Sequence, residues 1–117
     1  MRWGKGMGRN MDVVIIGVDI RGLPFLHIHG ENGQGQVVID RKLPRAEMVT
    51  YFATMSPCFI GMAFDETFAS TAHYWKQKLE AYRHTVTLMA SEYVRLHGHG
   101  KTDAEVICKA LKQTMAL

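Results

Sequence analysis

From Val13 to Ile20 the chain reads Val-Val-Ile-Ile-Gly-Val-Asp-Ile, apolar almost without a break. Most of these residues are β-branched, a shape that packs well on a pleated backbone. A run this short and continuous fits a strand covered on both faces, as at the centre of a sheet with helices on either side. Asp19 interrupts it near its end. An ionised carboxylate is costly to bury unless it is paired, hydrogen-bonded or metal-bound. Either the strand leaves the core at Asp19, or a partner for the charge waits there.

The rest of the chain supplies what such a strand needs. Arg21-Gly22 marks a turn. From Leu23 to His29 residues alternate, with Phe25, His27 and His29 on one face and Leu26 and Ile28 on the other. Gly30 to Gly35, centred on Asn32-Gly33, reads as a hairpin loop, and Gln36 to Leu43 as the returning strand. Pro44 suits a helix start, and Arg45 to Met55 is expected to be helical, with Ala46, Val49, Phe52 and Ala53 inward. Ser56-Pro57 stops it, and Cys58 to Phe64 is a second buried strand, with Asp65 and Glu66 directly after it. Phe68, Ala72, Trp75, Leu79 and Tyr82 recur at helical steps, and this aromatic stripe reads as core. Arg83-His84 closes that helix, where positive charge is favoured. Thr85 to Ala90 is a fifth strand, and Ser91 to Leu96 a short helical turn. Thr102-Asp103-Ala104-Glu105 reads as a capping box opening a last helix, with Val106, Ile107, Ala110 and Leu111 inward. The order βββαβαβα predicts an α/β fold, a five-stranded mixed sheet flanked by helices, and it is the element order of ribonuclease-H-like folds. In that topology the first and fourth strands are neighbours, so Asp19 and Asp65-Glu66 meet at the edge where open α/β sheets bind ligands.

Length and charge narrow the functional classes. At 117 residues the chain makes one domain, expected over 11–117. Residues 1–10 hold three of the fourteen basic residues and no acid, and are expected to be a disordered tail. Without them the two signs balance, so the net charge of +3 does not describe a basic groove. Two distant cysteines without a Cys-X-X-Cys spacing suit a reducing, cytoplasmic setting. No apolar run is long enough for a membrane span, and no secretory signal is expected.

Chemistry is carried by few residues. Asp19, Asp65 or Glu66, and Asp103 are remote in sequence, yet the fold could gather them. Such a carboxylate set is what two Mg²⁺ ions need to act on a phosphodiester. Each acid also has a plain reading: Asp19 as a strand end, Asp65 and Glu66 as favourable charges before a helix, Asp103 as an acid in a helix's first turn. His27-Ile28-His29 and His97-Gly98-His99 could together hold zinc, although neither cysteine joins them. There is no nucleophile elbow and no phosphate-binding glycine fingerprint.

Three blocks taken together resemble a known family. Gly17-Val18-Asp19-Ile20 resembles the opening strand of the insertion-sequence "one-ten" family of transposases, relatives of the Piv and MooV recombinases. Phe59-Ile60-Gly61-Met62, then Ala72-His73-Tyr74-Trp75, resembles its second block. Thr102 to Ala110, reading Thr-Asp-Ala-Glu-Val-Ile-Cys-Lys-Ala, resembles its third, and Gln113-Thr114-Met115 is similar to the family's residues just beyond that block. The resemblance implies a RuvC-like domain with a carboxylate set that binds Mg²⁺, and a separate C-terminal domain with a catalytic serine. It implies DNA strand cleavage and joining in transposition, guided by a structured RNA. DNA, that RNA and further transposase copies would be the partners.

Carried over, Asp19 matches the first acid. The family glutamate should stand directly after Gly-Met, but Ala63 is there, and residues 63–66 read as an insertion that returns Glu66, or Asp65, to the role. In the third block Asp103 remains without the second aspartate three positions away. No counterpart of the serine domain is expected within these 117 residues. The expectation is a truncated, partly decayed transposase or a domain split from one, inactive by itself, with a non-catalytic module that binds nucleic acid or an intact transposase as the alternative.

Overall fold

The apolar run forms β1 (Val13–Asp19), the middle strand of a five-stranded sheet. On one side β2 (Phe25–Asn32) and β3 (Val37–Pro44) continue it as an antiparallel meander. On the other side β4 (Phe59–Phe64) and β5 (Thr85–Ala90) run parallel to it. The order across the sheet is β3-β2-β1-β4-β5, with β1 and β4 adjacent. This computed structural model describes residues 12–22, 24–100 and 103–115. The basic segment 1–10, expected to be disordered, and Thr102, expected to open the capping box, lie outside the described residues.

Strand alternation sorts the side chains into two cores. Ile16, Val18, Leu26, Ile28, Ile60, Met62 and Val86 face α1 (Met48–Ala53) and α2 (Ala69–Glu80), packing with Met48, Phe52, Ala72, Trp75 and Leu79. Ile15, Ala63 and Met89 face the opposite way, toward Val94 of α3 (Ser91–Arg95) and the inner stripe of α4 (Ala104–Thr114). The continuous run in β1 is thereby explained: with helices on both faces, no position from Ile15 to Val18 meets water.

Gly17 sets the spacing of the second layer. A Cβ on it would collide with the Ala104 carbonyl oxygen and lie 2.5 Å from the Cys108 nitrogen, both backbone atoms of α4. The first turn of α4 therefore rests directly on β1. Only glycine permits so close an approach.

Several boundaries differ from the sequence expectation, each for a local reason. β2 continues to Asn32, and the turn is confined to 33–36, because Asn32 Oδ1 accepts hydrogen bonds from the Gln34 and Gln36 backbone N–H groups. Pro44 ends β3 rather than sitting inside a helix; a 3₁₀ turn at Arg45–Glu47 precedes a shorter α1. Ala46 and Ala53, expected inward, are exposed, and Met48 with Phe52 fills the core instead. Tyr82 lies beyond the end of α2 and is exposed, unlike Trp75. His84 is no surface charge at a helix end: it is buried, accepting at Nδ1 from the Cys58 N–H, with Nε2 2.8 Å from the Phe52 carbonyl oxygen. It ties α1 to the start of β4.

Asp103 is itself the N-cap of α4, not a residue inside its first turn: Oδ1 accepts from the Val106 N–H at 3.0 Å. Asp103→Ala removes that acceptor and is expected to cost about 1 kcal/mol. Urea denaturation of the variant beside the parent chain measures it.

Candidate functional site

Three aspartates reach the same edge of the sheet by different routes. β1 ends at Asp19. Its parallel neighbour β4 is in register from Ile15 opposite Phe59 to Val18 opposite Met62, so Asp65 leaves β4 on the same side of the molecule. Asp103 arrives with α4, whose first turn sits on Gly17.

Arg21 stands among them. Its Nε–H donates to Asp19 Oδ1 at 3.0 Å and its Nη2 to Oδ2 at 3.1 Å, a two-pronged fork across one carboxylate. The Arg21 backbone N–H adds a third bond to Oδ1 at 3.1 Å. The Asp19 hydrogen bond favours the charged guanidinium most; partial burial opposes it, and the charges of Asp19, Asp65 and Asp103 add to it. One cation thus sits in the field of all three acids.

The other carboxylates are engaged locally. Asp65 Oδ1 accepts from the backbone N–H groups of Thr67 and Phe68 at 2.9 and 3.0 Å, fixing the turn into α2. Asp103 caps α4 as described. Glu66 is exposed and lines an open cleft of about 590 Å³ with Asp65, Ser91, Glu92 and Arg95. So the structure pairs Arg21 with Asp19, leaves Asp65 and Asp103 near enough to act on the same charge, and places Glu66 in the cleft beside Asp65.

A shared Mg²⁺ requires several carboxylate oxygens converging on one point. Both oxygens of Asp19 are taken by Arg21. Among the described residues, no three ligand groups from this edge come within 4.8 Å of one another. In this arrangement the acids do not fit a common divalent ion.

The trio that does come within 4.8 Å is elsewhere: His29, Glu31 and Cys108, buried between β2 and α4. Glu31 is already neutralised there. Lys112 Nζ donates to its Oε1 at 2.6 Å, and His29 Nε2 lies 2.8 Å from its Oε2. Burial pushes the Glu31 carboxyl up, but its hydrogen bonds to Lys112 and His29 outweigh this and hold it below the usual carboxylate range. Burial, reinforced by the Glu31 charge, pushes the Cys108 thiol up to about 12, so it is no ready thiolate ligand. The cluster reads as an ion-pair network that fastens α4 to β2. The two His-X-His pairs do not assemble: His27 lies 2.7 Å from Asp40, His29 meets Glu31, and the His97 ring packs on Tyr93.

Sequence pattern gives Arg21, Glu31 and Lys112 no part in a site, and Cys108 enters only as a distant cysteine and a residue of the third block. Reading Gly30 to Gly35 as a loop hides Glu31; a strand carried on past His29 would by parity put it on the face of His27 and His29. Nothing local marks Arg21 as more than a turn residue.

No protein-family model matches the chain, and no solved structure matches it. The chain is 34% identical over 104 residues to a protein of Pseudomonas aeruginosa named "Probable family 20 transposase", covering 86% of this chain and 29% of that protein. It is 29% identical over 103 residues to the transposase for insertion sequence element IS1328 of Yersinia enterocolitica, covering 85% of this chain and 29% of that one. The chain thus spans less than a third of the length of these relatives. Over most of its length this chain is similar to proteins named as transposases, and what it matches is one segment of them.

Proposed function

We propose that this chain is a ribonuclease-H-like, RuvC-like domain of the insertion-sequence "one-ten" transposase family, working in DNA transposition as a binding module rather than as an independent nuclease. The observation that carries the reading is the placement of Asp19 and Asp65 at the same ends of adjacent parallel strands, in a sheet ordered 3-2-1-4-5. Similarity to transposases over most of the chain supports the same descent. The Arg21 fork favours the binding role over strand cutting, because a metal-dependent cut needs Asp19 to be open. Where the family chemistry would assign Mg²⁺ to Asp19, Glu66 or Asp65, and Asp103, these residues do not fit it as they stand.

The proposed partners are DNA, a structured RNA, and transposase copies, met in the cytoplasm. No helix among the described residues is long and apolar enough to cross a membrane.

Fluorescence anisotropy with labelled duplex DNA and with structured RNA tests the reading, alongside a cleavage assay in Mg²⁺ and Mn²⁺. The expected result is nucleic-acid binding that weakens about tenfold or more between 50 and 200 mM salt, with no strand scission. Scission that disappears in Asp19→Asn would overturn the non-catalytic reading. Absence of binding to either nucleic acid at low salt would remove the binding role.

A further inference from the structure

The edge where β1 ends holds a positive charge supplied by the chain itself. We infer that Arg21 stands in for a divalent cation at Asp19, so that this carboxylate is neutralised from within and binds Mg²⁺ or Mn²⁺ tightly only when the Arg21 fork is removed. The geometry is specific to a guanidinium. Two nitrogens of one planar group meet the two oxygens of one carboxylate at 3.0 and 3.1 Å, and the backbone N–H adds a third contact.

Position and exposure support the substitution. Arg21 is only two residues beyond Asp19, so the fork closes without long-range ordering of the chain. The Arg21 side chain is 38% exposed and that of Asp19 only 17%, so the acid is the more sheltered partner and the guanidinium the one water reaches. Asp65 and Asp103 act on the same guanidinium. The hydrogen bonds that occupy these two acids run to Oδ1 of each. A divalent ion would have to displace a bidentate, charge-assisted pair to gain its first ligand, and such pairs are the strong ones. Arg21 plays this part whether or not the chain serves transposition, since it needs only the edge geometry.

Mn²⁺ titration monitored by electron paramagnetic resonance tests this with the full chain, prepared metal-free, as wild type, Arg21→Gln, Arg21→Lys, Asp19→Asn and the Arg21→Gln/Asp19→Asn double variant. The wild type is expected to bind in the millimolar range or more weakly. Arg21→Gln is expected to bind about tenfold or more tightly than wild type, the factor a charged hydrogen-bond pair represents. The double variant should lose that gain. Arg21→Lys, which keeps the charge but not the fork, should fall between. Thermal melts confirm that each variant is folded. Wild-type Mn²⁺ binding as tight as that of Arg21→Gln and lost in Asp19→Asn would overturn the inference, as would a folded Arg21→Gln with no gain. Were Arg21→Gln unfolded, the wild-type, Asp19→Asn and Arg21→Lys titrations still decide it. Failure of nucleic-acid binding would leave these titrations unchanged, so the two proposals fail separately.

Discussion

Gly17→Ala is expected to destabilise the chain by about 3 kcal/mol or more, at the upper end for overpacking, and to lower its Tm by roughly 10–15 °C. The new methyl group meets backbone rather than flexible side chains: the Ala104 carbonyl oxygen, the Cys108 nitrogen and, at 3.1 Å, the Cys108 Cα. Backbone in a helix cannot rotate aside, so α4 must lift from β1 as a unit. Lifting it loosens the buried stripe of Ile107, Cys108 and Leu111 and moves Asp103 away from Arg21. Gly33→Ala is the control, because its added Cβ meets nothing nearer than Val14 at 3.9 Å. That variant should stay within about 0.5 kcal/mol of the parent. Thermal denaturation of the two side by side checks both. A Gly17→Ala chain as stable as the Gly33→Ala chain would mean that α4 does not seat on β1 in this way.

The second large effect belongs to Glu31. Glu31→Gln keeps the shape but removes the charge that Lys112 meets at 2.6 Å. The expected loss is about 2 kcal/mol at neutral pH, below the 3–5 kcal/mol typical of breaking a fully buried pair. The reason is that the Lys112 side chain is 36% exposed and can turn its ammonium to water. The two shift directions set the pH dependence. Glu31 is lowered on folding, so its contribution is present above the ordinary glutamate value and is lost as pH falls through the lower folded value. Lys112 is raised, chiefly by its hydrogen bond to Glu31, so its contribution is present below the ordinary lysine value and is lost as pH rises through the higher folded value. The stability difference between parent and Glu31→Gln should therefore be flat from about pH 8 to pH 10, above the histidine range, shrink at higher pH, and shrink again in acid once the Glu31 carboxyl is protonated. Urea midpoints at several pH values measure it, and a difference that persists after the Glu31 carboxyl is protonated would contradict the pairing.

Much of the architecture is legible in the residues because hydrophobic period carries it. The run at Val13–Ile20 announces a strand covered on both sides, and the 4, 3, 4, 3 spacing from Phe68 to Tyr82 announces α2. Short-range signals do less well. Asn32 reads as the middle of a loop, yet its side chain folds back on the turn and lets β2 run on; Pro44 reads as a helix start and is a strand end. His84 reads as a charge at a helix terminus, whereas burial and two backbone partners decide its place. The site is half legible. Topology alone brings Asp19 and Asp65 to one edge, but it cannot say what a neighbouring arginine will do, since a side chain's partner depends on rotamers that sequence spacing does not encode. The link from Glu31 to Lys112 joins residues 81 positions apart, and no local pattern announces it.

Among the described residues α4 comes after every strand, yet it supplies most of one whole face of the interior. During synthesis from the N-terminus, all five strands leave the ribosome before the cover for Ile15, Ala63 and Met89 exists. A growing chain in that state carries an open apolar flank, the kind of surface that chaperones hold and that promotes clumping. Premature termination ahead of Ala104 should thus yield sticky, protease-sensitive product rather than a smaller stable protein, and the timing of translation becomes part of how this molecule reaches its native form.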